Sequence, residues 1–254
     1  NLGIMFNRSK YQFDDFTEKS YCECLDLVKK NYKTILFTNF KEEGRVCLWR
    51  HDVDYSPHRS LKLAQLDRSY AITSTFFIWL HSDIYHFYEK KVFLIFKEII
   101  KLGHQIGLHF DPDFYGERIS TEQDLLRHLT FEKKVLDDVL EINTRVFSLH
   151  NPSLLSISLN EEEYCGMVNV YNSTIKRDYM YLSDSFCYWR YDRLKDVLES
   201  GEHQKLHILT HPECWTPEPM APYKRILRAF KGRYLNEIRQ YEKILAKSKI
   251  KKIK

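Results

Sequence analysis

The sequence predicts an α/β protein built on a mostly parallel sheet, open or closed into a barrel, and three observations carry that expectation. Short β-rich runs alternate with amphipathic helical stretches, with about seven strands between Val46 and His211. Ionisable residues collect at or just past the ends of those strands, where α/β enzymes present their chemistry. No internal repeat, low-complexity block or Pro/Gly-rich linker divides the 254 residues. One domain is therefore the economical reading, with a helix and strand in residues 1–43 packing on a barrel formed by 44–254.

Residues 11–31 read as a helix, because Phe16, Tyr21, Leu25, Leu27 and Val28 recur near helical spacing, with acids early and Lys29-Lys30 late. The β-rich run Thr34–Thr38 follows, and Glu42-Glu43-Gly44 turns the chain into the strand Val46–Trp49. That strand stops at a charged tip, Arg50-His51-Asp52-Val53-Asp54. Ser56-Pro57 then opens a helix to about Arg68, with Ser as N-cap and Pro at the first helical position. Thr73–Leu80 is the next strand. Ile84–Leu102 reads as a strongly apolar helix stopped by Gly103, with Tyr85, His86, Phe87 and Tyr88 on its buried face. His104–Asp111 is a short strand that ends in ionisable groups.

Ser120-Thr121-Glu122-Gln123 caps a long helix with Leu125, Leu126, Leu129, Val135, Leu136, Val139 and Leu140 on one stripe. Arg145–Pro152 is again a strand that ends polar, and Met167–Tyr171 and Met180–Asp184 are two more. Asp192 caps a helix that ends at Gly201, and Leu206–Pro212 is the last strand. From Tyr223 an amphipathic helix carries Ile226, Leu227, Phe230, Leu235, Ile238, Tyr241 and Leu245 ahead of the basic tail Lys247–Lys254.

Hydrophobic residues at 43% and aromatics at 15% suffice for a substantial core. The net charge of +4 is modest and comes largely from the tail, so no nucleic-acid partner is expected. The chain has no run of about 18 apolar residues, which argues against stable membrane insertion. It opens with no charged, apolar and small-residue leader, which points to the cytoplasm. Its six cysteines (Cys22, Cys24, Cys47, Cys165, Cys187 and Cys214) are scattered with no CxxC pair. That spacing fits neither a structural zinc site nor a disulfide framework, and Cys22 and Cys24 read as reduced helix residues.

Side chains two apart on a strand point the same way, so Asp52 and Asp54 converge on one point. Carboxylates that close repel, and a divalent cation or a shared proton relieves them. The bland alternative is an Asp N-cap beside a surface ion pair, and a single strand-end His is more often a packed core residue than a ligand. Against this, His51/Asp52/Asp54, His109/Asp111/Asp113, His150, Asp184 and His211 mark five strand ends alike, and in a parallel barrel those ends share one face. Mixed His and carboxylate groups suit zinc or a similar divalent ion, which brings the pKa of bound water to roughly 7. His104 and His207 read as structural or core residues.

Five short segments in order resemble the metal-dependent polysaccharide deacetylases. They are Arg50-His-Asp-Val-Asp-Tyr55, Gly103-His-Gln-Ile-Gly-Leu-His-Phe110, Phe147-Ser-Leu-His-Asn-Pro152, Asp184-Ser with Trp189-Arg190, and Ile208-Leu-Thr-His-Pro-Glu213, a span of about Gly44–Trp215. The resemblance implies a distorted (β/α) barrel and one divalent metal ion, zinc by expectation. It further implies a carbohydrate substrate that loses its N-acetyl group in surface-polysaccharide or envelope metabolism. Matched residue by residue, Asp52 resembles the base, Asp54 and His109 the metal ligands, and His211 the acid.

Two departures stand out. Val53 separates aspartates that are adjacent in the family, and Asp113 stands where the family has a second His. The third ligand is thus open among His150, Asp113 and Asp111. His150 is favoured because it ends the neighbouring strand and imidazole is the expected donor. Asp184, Arg190 and Trp215 are expected at the substrate, although Arg190 could instead pair with Asp184, and Trp189 and Trp215 could be rim packing. Two rivals remain: a hydrolase of a small non-sugar amide, and a metal-free carbohydrate-binding or assembly protein on the same fold. Tightly bound stoichiometric metal separates the enzymes from the binder.

Overall fold

Helix α1 (Glu18–Asn31) begins where Thr17 accepts a hydrogen bond from the Ser20 amide, and it buries Tyr21, Leu25 and Val28. The start falls later than periodicity predicts because Phe13–Phe16 form a separate 3-10 turn. The computed structural model describes residues 13–151 and 157–248, so the first two residues of the expected helix, Pro152 of the third motif and the tail beyond Ser248 lie outside it. The chain continues through β1 (Lys33–Ile35), β2 (Val46–Val53), α2 (Pro57–Ser69), β3 (Thr75–Ile78), α3 (Lys90–Lys101), β4 (Gln105–Phe110), α4 (Pro112–Tyr115), α5 (Glu122–Leu140) and β5 (Val146–Leu149). It ends with β6 (Glu163–Tyr164), β7 (Met167–Asn169), α6 (Ser173–Asp178), β8 (Met180–Ser183), α7 (Leu194–Ser200), β9 (Lys205–Thr210) and α8 (Pro222–Lys247).

The strands form one sheet in the order β6-β7-β5-β4-β3-β2-β9-β8, with β1 beside the start of β2. Every pairing is parallel except β6 with β7. The sheet curls with α helices outside it, an α/β half-barrel whose ends, β6 and β8, are not neighbours in the order. This is the distorted barrel the sequence implies, and the seven strands expected between Val46 and His211 are β2, β3, β4, β5, β7, β8 and β9. The added hairpin β6–β7 turns through Cys165 and Gly166, both at positive φ.

Parity decides what the barrel encloses. In β2, Val46 and Leu48 point inward to a cluster with Phe77, Val146 and Val168, while Cys47 and Trp49 point outward against α1 and α7 residues. Arg50 and Asp52 share the inward parity, as do Gly107 and His109 in β4 and His207 and Leu209 in β9. On the outer side of β3–β5, Phe76, Leu108 and Phe147 pack against Phe96, Leu129 and Leu136 of α3 and α5.

Local signals hold at most helix starts. Ser56 caps α2 with Pro57 at its first position, and Thr121 forms a capping box with Asp124 at α5. Three expectations are corrected. Tyr85 and Phe87 do not lie on a helix: α3 begins only at Lys90, because the Ser82 hydroxyl accepts the Ile84 and Tyr85 amides and holds a turn there. Both rings are buried all the same, and Tyr88 is exposed. Asp192 does not cap α7, whose N-cap is Arg193, a residue that grips Asp15 instead. Two cysteines are paired: Cys187 and Cys214 form a disulfide across 27 residues, because β8 and β9 are neighbours and their following loops meet.

Candidate active site at the carboxyl ends of the strands

Asp52 lies at the inward-facing end of β2, with Arg50 one inward position below it. Arg50 Nη2 donates to Asp52 Oδ2 at 2.7 Å and to the Tyr171 hydroxyl at 2.8 Å. Asp52 Oδ1 is buried with no hydrogen-bond partner. Burial opposes the charge of Arg50, and Asp52 beside it more than compensates, so the guanidinium pKa is raised. His51 has the opposite parity and leaves the bowl that the sequence placed it in. It bridges Thr210 Oγ1 at 2.8 Å and Asp67 Oδ2 at 3.0 Å in the outer layer, where Tyr21 and Ser74 also donate to Asp67.

Asp54 stands just past β2. Its Oδ1 is 3.4 Å from His109 Nε2, and its Oδ2 is 3.6 Å from His211 Nε2. Burial would raise the Asp54 pKa, but the facing His109 and the positive charge of His211 and His150 hold it well below the carboxylate range. His109, on β4, turns its Nδ1 to the Ser148 hydroxyl of β5 at 2.7 Å, which leaves Nε2 for Asp54. His150 follows β5, stacks on Trp79 at 4.1 Å, and has Nδ1 3.6 Å from Asp111 Oδ2. Donor atoms of Asp54, His109 and His150 all lie within 4.8 Å of one another, a group that could hold a metal ion. Asp111 takes the Trp79 indole and the Asp113 amide and sits behind His150, while Asp113 is exposed.

His211 follows β9, which pairs directly with β2 (Arg50↔Leu209, His51↔Thr210). Strand β9 is therefore the direct sheet neighbour of β2. Asp184, after β8, accepts from the His211 amide at 2.9 Å, from its Nδ1 at 2.7 Å and from the Trp215 indole at 2.9 Å. Burial would lower the His211 pKa, yet Asp184 and then Asp54 bring it up to about 10.

Asp184 and Trp215, expected at the substrate, are both fully buried and brace His211 from behind. Arg190 is exposed and makes no pair with Asp184, whose oxygens are taken. Trp189 packs on Phe16 and Trp215. His104, bound to Ser74 and to the Ala64 carbonyl, and His207, between Phe37 and Tyr181, are core residues as expected.

Sequence reasoning missed Tyr171 and Glu213. Glu213 is buried beside Asp54 and His211, and burial, then the Asp54 charge, push its carboxyl up to about 8. Its place two residues past His211 was a usable signal. Nothing near Tyr171 in the sequence announces that it would reach Arg50.

No family model matches the chain, and no curated protein does. Among solved structures it is similar to a family 4 carbohydrate esterase from Bacillus anthracis, at 16% identity and TM-score 0.42 over 83% of this chain and 85% of that one. It is also similar to the catalytic domain of a peptidoglycan N-acetylglucosamine deacetylase from Eubacterium rectale, at 14% identity and TM-score 0.45 over 75% of this chain and 86% of that one. A third is a CE4 family pseudoenzyme from Bacillus anthracis, at 13% identity and TM-score 0.43 over 74% of this chain. The chain spans 61% of that pseudoenzyme and 63% of a mutant pseudoenzyme with restored enzymatic activity. These proteins belong to the esterase and deacetylase family that the five sequence segments resemble.

Proposed function

We propose that the protein is a divalent-metal-dependent hydrolase of a carbon–nitrogen amide bond, with the N-acetyl group of a sugar as its substrate. The observation that supports this reading is the convergence of Asp54, His109 and His150 within 4.8 Å, between Asp52 and His211. The donor set fits a cation. Asp54 Oδ1 is buried with no hydrogen-bond partner. It lies 3.4 Å from His109 Nε2, close enough for the two atoms to hold one ion together. Two imidazoles and one carboxylate favour zinc, and Ser148 and Asp111 fix the rings from behind.

When bound, the cation supplies Lewis-acid polarisation of the carbonyl and acidifies water at the site. Asp52 is the base: Arg50 holds its Oδ2, and Oδ1 is left to take the proton of the attacking water. His211 is the acid: Asp184 fixes the proton on Nδ1, and protonated Nε2 faces the site to give its proton to the departing nitrogen. The carbonyl–nitrogen bond breaks as that proton arrives, and acetate and the free amine leave.

Metal analysis and turnover on N-acetylated sugar oligomers test the proposal together. Asp54→Ala, His109→Ala and His150→Ala should each lose stoichiometric metal, while Asp52→Asn should keep it and lose turnover. Unchanged metal in the three alanine variants would overturn the ligand set. A purified protein with no tightly bound divalent ion and no turnover would favour the carbohydrate-binding reading.

A further inference from the structure

Helix α8 is amphipathic, and much of its apolar face stays exposed. On the body side, Arg225 donates to the Cys187 and Phe13 carbonyls, Arg233 pairs with Glu89 at 3.1 Å, and Asn236 accepts from Lys91 at 3.1 Å. On the adjoining side Tyr223, Phe230, Tyr234, Ile238 and Tyr241 recur three, four or seven residues apart on one stripe, each between 38% and 75% exposed. Scattered exposed apolar residues are ordinary, but a contiguous stripe along a 26-residue helix marks an interaction surface.

The charges on the same helix choose the occupant. Of its eight Lys and Arg residues against two Glu, six are exposed: Lys224, Arg228, Lys231, Arg239, Lys243 and Lys247. At 100° per residue, Lys224, Lys231 and Arg228 flank the stripe. Six exposed cations against only Glu237 and Glu242 leave the helix strongly positive, so an anionic surface complements it better than a second copy of the same helix. A basic flank beside a stripe rich in Tyr and Phe is the pattern of a helix lying in a membrane interface, where amphipathic rings sit at headgroup level. No helix among the described residues is long and apolar enough to cross a membrane, so the contact is with the surface.

We infer that α8 docks the protein on a bilayer containing anionic phospholipid, with Tyr223, Phe230, Tyr234, Ile238 and Tyr241 entering the interface and the flanking cations on the headgroups. Phe230 meets Tyr55, the neighbour of Asp54, at 5.9 Å, so the docked bilayer lies beside the site described above. The inference does not depend on the reaction assigned to that site.

Co-sedimentation of the full chain with phosphatidylcholine vesicles containing about 30 mol% phosphatidylglycerol, against pure phosphatidylcholine, tests it. At least tenfold stronger binding to the anionic vesicles is expected. A Tyr234→Ser/Ile238→Ser/Tyr241→Ser variant and a Lys224→Gln/Arg228→Gln/Lys231→Gln variant should each lose tenfold or more of that binding. Both should keep the wild-type circular dichroism and metal content. No binding to anionic vesicles overturns the inference, as does undiminished binding by the serine variant. Light scattering that shows a dimer which the serine variant dissolves would give the stripe to a second copy and overturn it equally.

Discussion

Asp184 determines how His211 presents itself. Its carboxylate takes the His211 amide, the His211 Nδ1 and the Trp215 indole, so the imidazole proton is held on Nδ1 and Nε2 looks toward Asp54. Asp184→Asn should keep the metal and the fold but cost about 10²–10⁴ in kcat, the range for general acid–base catalysis, with a smaller change in KM. Steady-state kinetics with metal analysis check this, and an unchanged kcat would remove the acid role from the pair. Arg50 shows the same dependence on what lies behind a functional group. As a sequence letter it was only part of a motif, and its inward parity beneath Asp52 gives it the task of holding one carboxylate oxygen.

At the scale of the elements, β4 can lie close against β3 because Gly107 has no side chain. A Cβ at that position would sit 2.5 Å from the Phe77 ring and 3.1 Å from Val146 Cγ1, both inside the barrel. Gly107→Ala should therefore destabilise the protein by about 1–3 kcal/mol, the usual range for overpacking, as read by denaturant unfolding. His109 is two residues along the same strand, so metal affinity should fall with it.

The loops after β8 and β9 are joined by Cys187–Cys214, while Cys24 and Cys47 are buried and Cys22 and Cys165 partly exposed. Burial pushes the Cys24 thiol up to about 12 and raises that of Cys47 as well, so both stay protonated near neutral pH and react slowly. Thiol titration of the native protein should find two reactive groups, and four free thiols after denaturation without reductant. Six after denaturation would mean that the pair is open.

At the scale of the whole molecule, the three proposed ligands come from separate stretches: the end of β2, β4 and the end of β5. A cation held there ties together chain segments nearly a hundred residues apart and stabilises only the folded state. At a hundred times its dissociation constant it should contribute about 2.7 kcal/mol, a rise in Tm of roughly 5–10 °C for a chain of this size. Scanning calorimetry with and without a chelator measures it. The rise should vanish in Asp54→Ala, and its absence in the wild type would mean that the site holds no resident ion.

The sequence by itself determined the alternation of strands and helices, the helix caps at Ser56 and Thr121, and the residues that could carry chemistry. Those features depend on local periodicity, turn residues and side-chain type, all readable along the chain. Which of the strand-end residues meet was decided only by the sheet. Strand parity turned His51 outward and Asp52 inward, and strand order set His211 on the neighbour of β2. The curl of the sheet brought Tyr171 to Arg50 and placed Asp184 and Trp215 behind the imidazole they had been expected to accompany at the substrate. The reach of Ser82 to two amides delayed α3, and the adjacency of β8 and β9 joined two cysteines that look unrelated in the sequence. Apart from the local Ser82 turn, each of these rests on the pairing of distant segments, and such pairing exists only once the sheet has formed.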